Sequence, residues 1–77
     1  MRIVEVKPKH DYTLQITSDD GLVGTFNVAP YLELEAFSEL KNKVSFNKVV
    51  SGGYFIEWDC GADLSADTIE AYLIVNN

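Results

Sequence analysis

The stretch Tyr54-Phe-Ile-Glu-Trp-Asp-Cys-Gly-Ala-Asp-Leu-Ser-Ala-Asp-Thr-Ile-Glu-Ala-Tyr72 decides how this chain folds. It holds the only tryptophan, the only cysteine and two of the four tyrosines. Tyr54, Ile56 and Trp58 alternate with Phe55, Glu57 and Asp59, the period of a strand with one buried face. Gly61 frees the backbone for a tight corner that a residue with a Cβ would resist. Ser65 is a good N-cap, because its hydroxyl can accept a bond from an unpaired amide of the first helical turn. Leu64 and Ile69 have the spacing of a hydrophobic staple, and Asp67 places negative charge where the helix dipole favours it. Tyr72, Leu73 and Ile74 extend the apolar stripe, so a closing helix is expected over about 66–75.

Just upstream, Lys48 to Ser51, the pair Gly52-Gly53 and Tyr54 to Asp59 predict a second hairpin. A two-residue Gly-Gly loop sets Val49 opposite Ile56, Val50 opposite Phe55 and Lys48 opposite Glu57. Nearer the start, Arg2 to Lys7 reads as a strand with Val4 and Val6 inward. Pro8-Lys9-His10-Asp11 is turn chemistry, and Tyr12, Leu14 and Ile16 form the apolar face of a second strand. Leu22 to Val28 makes a third. A two-residue Asp20-Gly21 loop would set apolar residues against polar ones along the whole ladder. The three-residue loop Asp19-Asp20-Gly21 instead sets Leu14 opposite Phe26, with Gly21 left-handed. The same logic pairs Val6 with Tyr12 and Val4 with Leu14.

Between the two β regions, Ala29-Pro30-Tyr31-Leu32-Glu33 reads as one helical turn with Pro30 where a missing amide does no harm. Ala36 to Asn42 and Lys43 to Phe46 read as two more short pieces, none able to stand without tertiary packing. The expectation is an α+β fold: a three-stranded antiparallel meander over about 2–28, helical turns over about 30–46, a second hairpin over about 47–59 and the closing amphipathic helix. One domain over 1–77 is expected.

Composition narrows the functions. A chain of 77 residues with 47% hydrophobic content suits a small globular core, burying roughly 60% of its unfolded surface. A net charge of −6, with six Lys and Arg, disfavours direct nucleic-acid binding and an anionic membrane surface. No apolar run is long enough to span a bilayer, and the N-terminus lacks a signal-peptide core. A lone Cys60 forms no intramolecular disulfide, so a reducing cytoplasm is the expected home.

The order of motifs resembles a known family. Arg2-Ile-Val-x-Val-Lys-Pro8, Asp11-Tyr-x-Leu14 and Asp19-Asp-Gly21 are similar to the opening of a family of small bacterial proteins of unknown function, DUF2442. Trp58-x-x-Gly-Ala-Asp-Leu-Ser-x-Asp-Thr68 resembles its closing signature. Pro30-Tyr31-Leu32 and Phe37-x-x-Leu40 sit where its short helical turns belong. The resemblance implies an α+β fold and no reaction. It also implies lone small proteins, some joined to a helix-turn-helix and some in toxin–antitoxin-like pairs. With Asn77 so soon after the closing helix, no DNA-binding appendage is expected here.

Three stretches carry candidate chemistry. Cys60 as a nucleophile needs a base and a cationic setting, and His10, in a polar turn, is its one possible imidazole partner. Cys60 as a small apolar residue and His10 as a solvated turn residue outweigh that reading. Asp59, Asp63 and Asp67 recur every four residues but lack the Asp-x-Asp-x-Asp-Gly loop of a calcium site, so no metal and no cofactor is expected. Glu33, Glu35 and Glu39, interleaved with Tyr31 and Phe37, read either as a solvated face or as a docking surface for a basic partner. The expected function is a non-enzymatic module that binds another protein, in one form as the acidic antitoxin-like member of a pair. The alternatives are a structural homo-oligomer, or a small enzyme or ligand or metal binder using the Asp59-Cys60-Asp63 corner.

Overall fold

The Asp19-Asp20-Gly21 loop closes as the strand faces demand. In the computed structural model, which describes residues 1–75, β1 (Ile3–Pro8), β2 (Thr13–Ser18) and β3 (Val23–Asn27) form an antiparallel meander. Leu14 faces Phe26, and the Ser18 amide donates to the Leu22 carbonyl at 2.9 Å. Gly21 has φ +87°, in the left-handed region that a side chain resists. Leu14, Ile16 and Ser18 point into the core while Thr13, Gln15 and Thr17 line the other face.

Buried Ser18 donates to the Asp20 carboxylate, and the Leu22 amide donates to the same carboxylate oxygen at 3.3 Å. These bonds, Ser18 first, hold the Asp20 carboxyl below its ordinary range. The Thr13 hydroxyl, donating at 2.6 Å, does the same for Asp11. A carboxyl depressed on folding contributes stability that is whole above its unfolded value of about 3.9 and is lost as pH falls through the folded value. Both groups are solvated, so the effect is modest. Urea midpoints should therefore drop below about pH 4, and Asp20→Asn should flatten that part of the profile. A variant whose acid profile matches the parent's would clear Asp20 of the role.

β1 departs from expectation. Val6 faces Ile16 and Pro8 faces Leu14, so the expected pairs Val6–Tyr12 and Val4–Leu14 do not form. A bulge between Ile3 and Glu5 turns Val4 outward at 51% exposure and seats Ile3 in the core. Tyr12 explains the shifted connection, which now spans residues 9–12. It adopts φ 64°, its hydroxyl donates to the Lys41 carbonyl, and its ring packs edge-on against Phe46 at 5.3 Å. Contacts with the helical segment thus draw Tyr12 out of the pairing with Val6.

Two 3-10 turns follow, Ala29–Glu33 and Glu35–Lys41, and then α1 (Lys43–Phe46). Leu32, Phe37, Leu40 and Phe46 anchor them in the core. A second antiparallel sheet holds β4 (Val50–Ser51), β5 (Phe55–Glu57) and β6 (Asp63–Ser65). Its first hairpin is slid from the expected register. Ser51 faces Ile56 and Val50 faces Glu57, so Val49 does not meet Ile56, nor Lys48 Glu57. The turn is Gly53-Tyr54, not Gly52-Gly53: the Gly52 amide donates to the Phe55 carbonyl at 2.8 Å and Gly53 takes φ +92°. Tyr54, expected inward, is therefore a turn residue at 69% exposure. The slide joins the sheets, since the Ile3 amide donates to the Gly53 carbonyl at 2.6 Å and Ser51 Oγ to the Ile3 carbonyl at 2.8 Å.

Gly61, at φ +96°, makes the expected corner, but it is the turn of another hairpin. The Trp58 amide donates to the Ala62 carbonyl at 2.9 Å, and Asp63 is a β6 strand residue opposite Glu57 rather than a corner residue. Ser65 then caps α2 (Ala66–Tyr72), accepting from the Thr68 amide at 3.1 Å, with Leu64 and Ile69 both buried. The helix stops short of the expected residue 75. Leu73 turns extended and β7 (Ile74–Val75) pairs with β3, leaving Tyr72 and Ile74 exposed instead of on a buried stripe. The first sheet thus runs β1-β2-β3-β7. Among the described residues no helix is long and apolar enough to cross a membrane.

Candidate functional site

Pro30 starts the acidic segment, and short i to i+3 bonds carry it: Tyr31 amide to Val28 carbonyl at 2.8 Å, Leu34 to Tyr31 at 3.0 Å, Phe37 to Leu34 at 3.0 Å. With Leu32, Phe37 and Leu40 turned inward, Glu33, Glu35 and Glu39 face solvent. Leu34, the extended link between the two turns, is exposed at 54%.

The two aromatic residues of this segment have different places. Tyr31 is half-buried, its ring 5.8 Å from Phe26 and 5.6 Å from Phe37. Phe37 is buried and sits edge-on to Trp58 at 6.3 Å, so it is a core ring and not a contact residue. The apolar contact residue that the sequence offers here is Leu34.

The fold brings this segment against the other candidate stretch. Glu35, Ala36, Ser38 and Glu39 line a shallow depression whose far side is the exposed Cys60 of the β5–β6 turn. Two stretches separated by some twenty residues thus share one acidic surface. The ion pairs among the described residues lie elsewhere, between the Met1 ammonium and Glu70 at 3.3 Å and between Lys7 and Glu5 at 3.7 Å. Among the described residues neither of these pairs involves Glu33, Glu35 or Glu39.

Asp59, Asp63 and Asp67 are not gathered: Asp63 pairs across to Glu57, and Asp67 occupies the first turn of α2. No three His, Cys, Asp or Glu among the described residues are placed to hold a metal ion. His10 lies in the exposed β1–β2 loop, where its carbonyl accepts from Lys43 Nζ, itself 4.4 Å from the Tyr12 ring centre. Sequence reasoning missed a second concavity, lined by Phe26, Asn27, Pro30, Tyr31 and Tyr72. It depends on where α2 ends, and no local signal marks that.

Comparison with known proteins finds no match among curated proteins and none among solved structures. A family described as "Protein of unknown function (DUF2442)" matches residues 3–74, nearly the whole chain, and the protein belongs to that family.

Proposed function

We propose that this chain is a non-enzymatic interaction module that docks a basic partner protein through Glu33, Leu34, Glu35 and Glu39, beside the Cys60 turn. The observation that carries the reading is the joining of that segment to the turn in one depression without a compensating cation among the described residues. Exposed Glu33 and Glu35 flank the exposed Leu34, which suits a contact with an apolar centre and a charged rim. The net charge of −6 would steer a basic partner toward it. In this role the chain acts as the acidic, antitoxin-like member of a pair.

Capture from the native host followed by mass spectrometry identifies the partner, and kinetics then test the surface. Glu35→Lys with Glu39→Lys should slow association by about tenfold at low salt and flatten its salt dependence. The fold should be unaffected, since exposed substitutions usually shift stability by only about ±0.5 kcal/mol. An unchanged on-rate would take this segment out of the interface. Self-association is the rival reading, favoured by the open edge of β7 with Ile74 and Val75 exposed. Sedimentation of the isolated chain at several concentrations separates the two.

A further inference from the structure

The second sheet has two faces and covers one of them. Ser51, Ile56 and Leu64 turn inward, and Ile56 and Leu64 are buried. Val50, Phe55, Glu57 and Asp63 lie on the outer face, with Val50 53% and Phe55 40% exposed. Glu57 stands between Val50 on one side and Asp63 on the other. Like charges directly opposite one another destabilise a sheet, and neither carboxylate forms an ion pair among the described residues. The slid register contributes to this, because it sets Val50 rather than Lys48 opposite Glu57. Phe55 lies over Gly52, where a Cβ would strike its ring, so the aromatic surface lies flat across the β4–β5 pair.

From these residues we infer that the outer face of β4-β5-β6 is a docking surface for a basic amphipathic helix of a partner protein. Charge selects the occupant. A lysine or arginine beside Glu57 and Asp63 relieves a repulsion the free protein carries, while Phe55 and Val50 take the partner's apolar residues. A second copy of this chain would bring carboxylates against carboxylates and add another net charge of −6. A metal ion finds two carboxylates there and no third ligand among the described residues. Shape selects a helix. A sheet face offers side chains and no free backbone edge, and three strands about 4.8 Å apart span roughly two helical turns. This face is distinct from Glu33, Glu35 and Glu39, so either surface can fail without the other.

The test uses the relation between stability and binding. Glu57→Gln should raise the urea midpoint of the free protein by removing the repulsion. The same change should weaken, by about fivefold at low salt, binding of a synthetic 14-residue Leu/Lys amphipathic helical peptide. Asp19→Asn removes an equal charge from the β2–β3 loop and should leave that binding within about twofold. In backbone NMR spectra of the full chain, the peptide should shift the amides of Val50, Phe55, Glu57 and Asp63. The inference is overturned by a lowered or unchanged midpoint for Glu57→Gln, by equal losses in the two variants, or by no binding. Shifts confined to Glu35, Glu39 and Cys60 would also sink it, while leaving the proposed function standing.

Discussion

Trp58→Ala should leave little folded protein. The Trp58 side chain is 3% exposed and lies between Phe37 at 6.3 Å and Phe46 at 6.1 Å. Those rings continue to Tyr31 and Phe26 on one side and to Tyr12 on the other, so one line of aromatic contacts ties the helical turns to both sheets. Trp58 Nε1 also donates to the Phe46 carbonyl at 2.9 Å, in the core. Truncation removes the ring, opens a cavity and orphans that carbonyl, a loss of about 3–5 kcal/mol from packing alone. A 77-residue chain has roughly 4–12 kcal/mol in all, at about 0.05–0.15 per residue. Trp58→Phe keeps most of the packing but not the donor, and should cost about 1–3 kcal/mol. Urea denaturation followed by circular dichroism reads both. A midpoint near the parent's for Trp58→Ala would show that the indole is not a core group.

Gly24→Val should detach the C-terminal strand. A Cβ at Gly24 would lie 2.6 Å from Leu73 Cγ and 2.9 Å from the Ile74 carbonyl oxygen. The leucine side chain could swing aside. The carbonyl belongs to backbone that pairs with β3 at Gly24 and Thr25, and it has nowhere to go without breaking that pairing. Overpacking of this kind costs about 1–3 kcal/mol. The loss is local in character, because the nearest atoms that such a Cβ meets belong to Leu73 and Ile74. Hydrogen exchange at the backbone of Leu73, Ile74 and Val75 should accelerate well before global unfolding. Exchange there that matched the parent's would mean β7 is held by something other than this close approach.

Both results bear on how the surfaces are presented. Trp58 leads into the turn that carries Cys60 to the acidic depression, and the β5–β6 hairpin it anchors also carries Glu57 and Asp63. Loss of the indole should therefore abolish the proposed docking at either surface through loss of structure. Charge variants on those surfaces should act in a chain that stays folded, Glu57→Gln with a raised midpoint. That contrast separates a scaffold residue from a contact residue in one set of measurements.

What the sequence determined by itself was local. Ser65 capping α2, the Leu64–Ile69 staple, Gly21 in the left-handed region and Leu14 opposite Phe26 all rest on a few neighbouring residues. The physics there is short-range: one hydroxyl and one amide, one φ angle, one alternation of faces. The three carboxylates of the acidic segment were legible for the same reason, since a turn with Leu32, Phe37 and Leu40 inward has to show Glu33, Glu35 and Glu39 to water.

Tertiary structure decided everything that turned on a choice between near-equal local solutions. The Gly53-Tyr54 turn and the expected Gly52-Gly53 turn both close a two-residue hairpin. The docked β1 discriminates between them, through the Ile3 amide on the Gly53 carbonyl and Ser51 Oγ on the Ile3 carbonyl. Tyr12 could have continued β2, but its bond to the Lys41 carbonyl and its contact with Phe46 hold it in a left-handed kink. Leu73 and Ile74 suit a helical stripe or a strand equally, and the bare Cα of Gly24 admits them as a strand. Each choice rests on a partner that is distant in sequence. A contact of that kind leaves no periodicity for the local pattern to reveal.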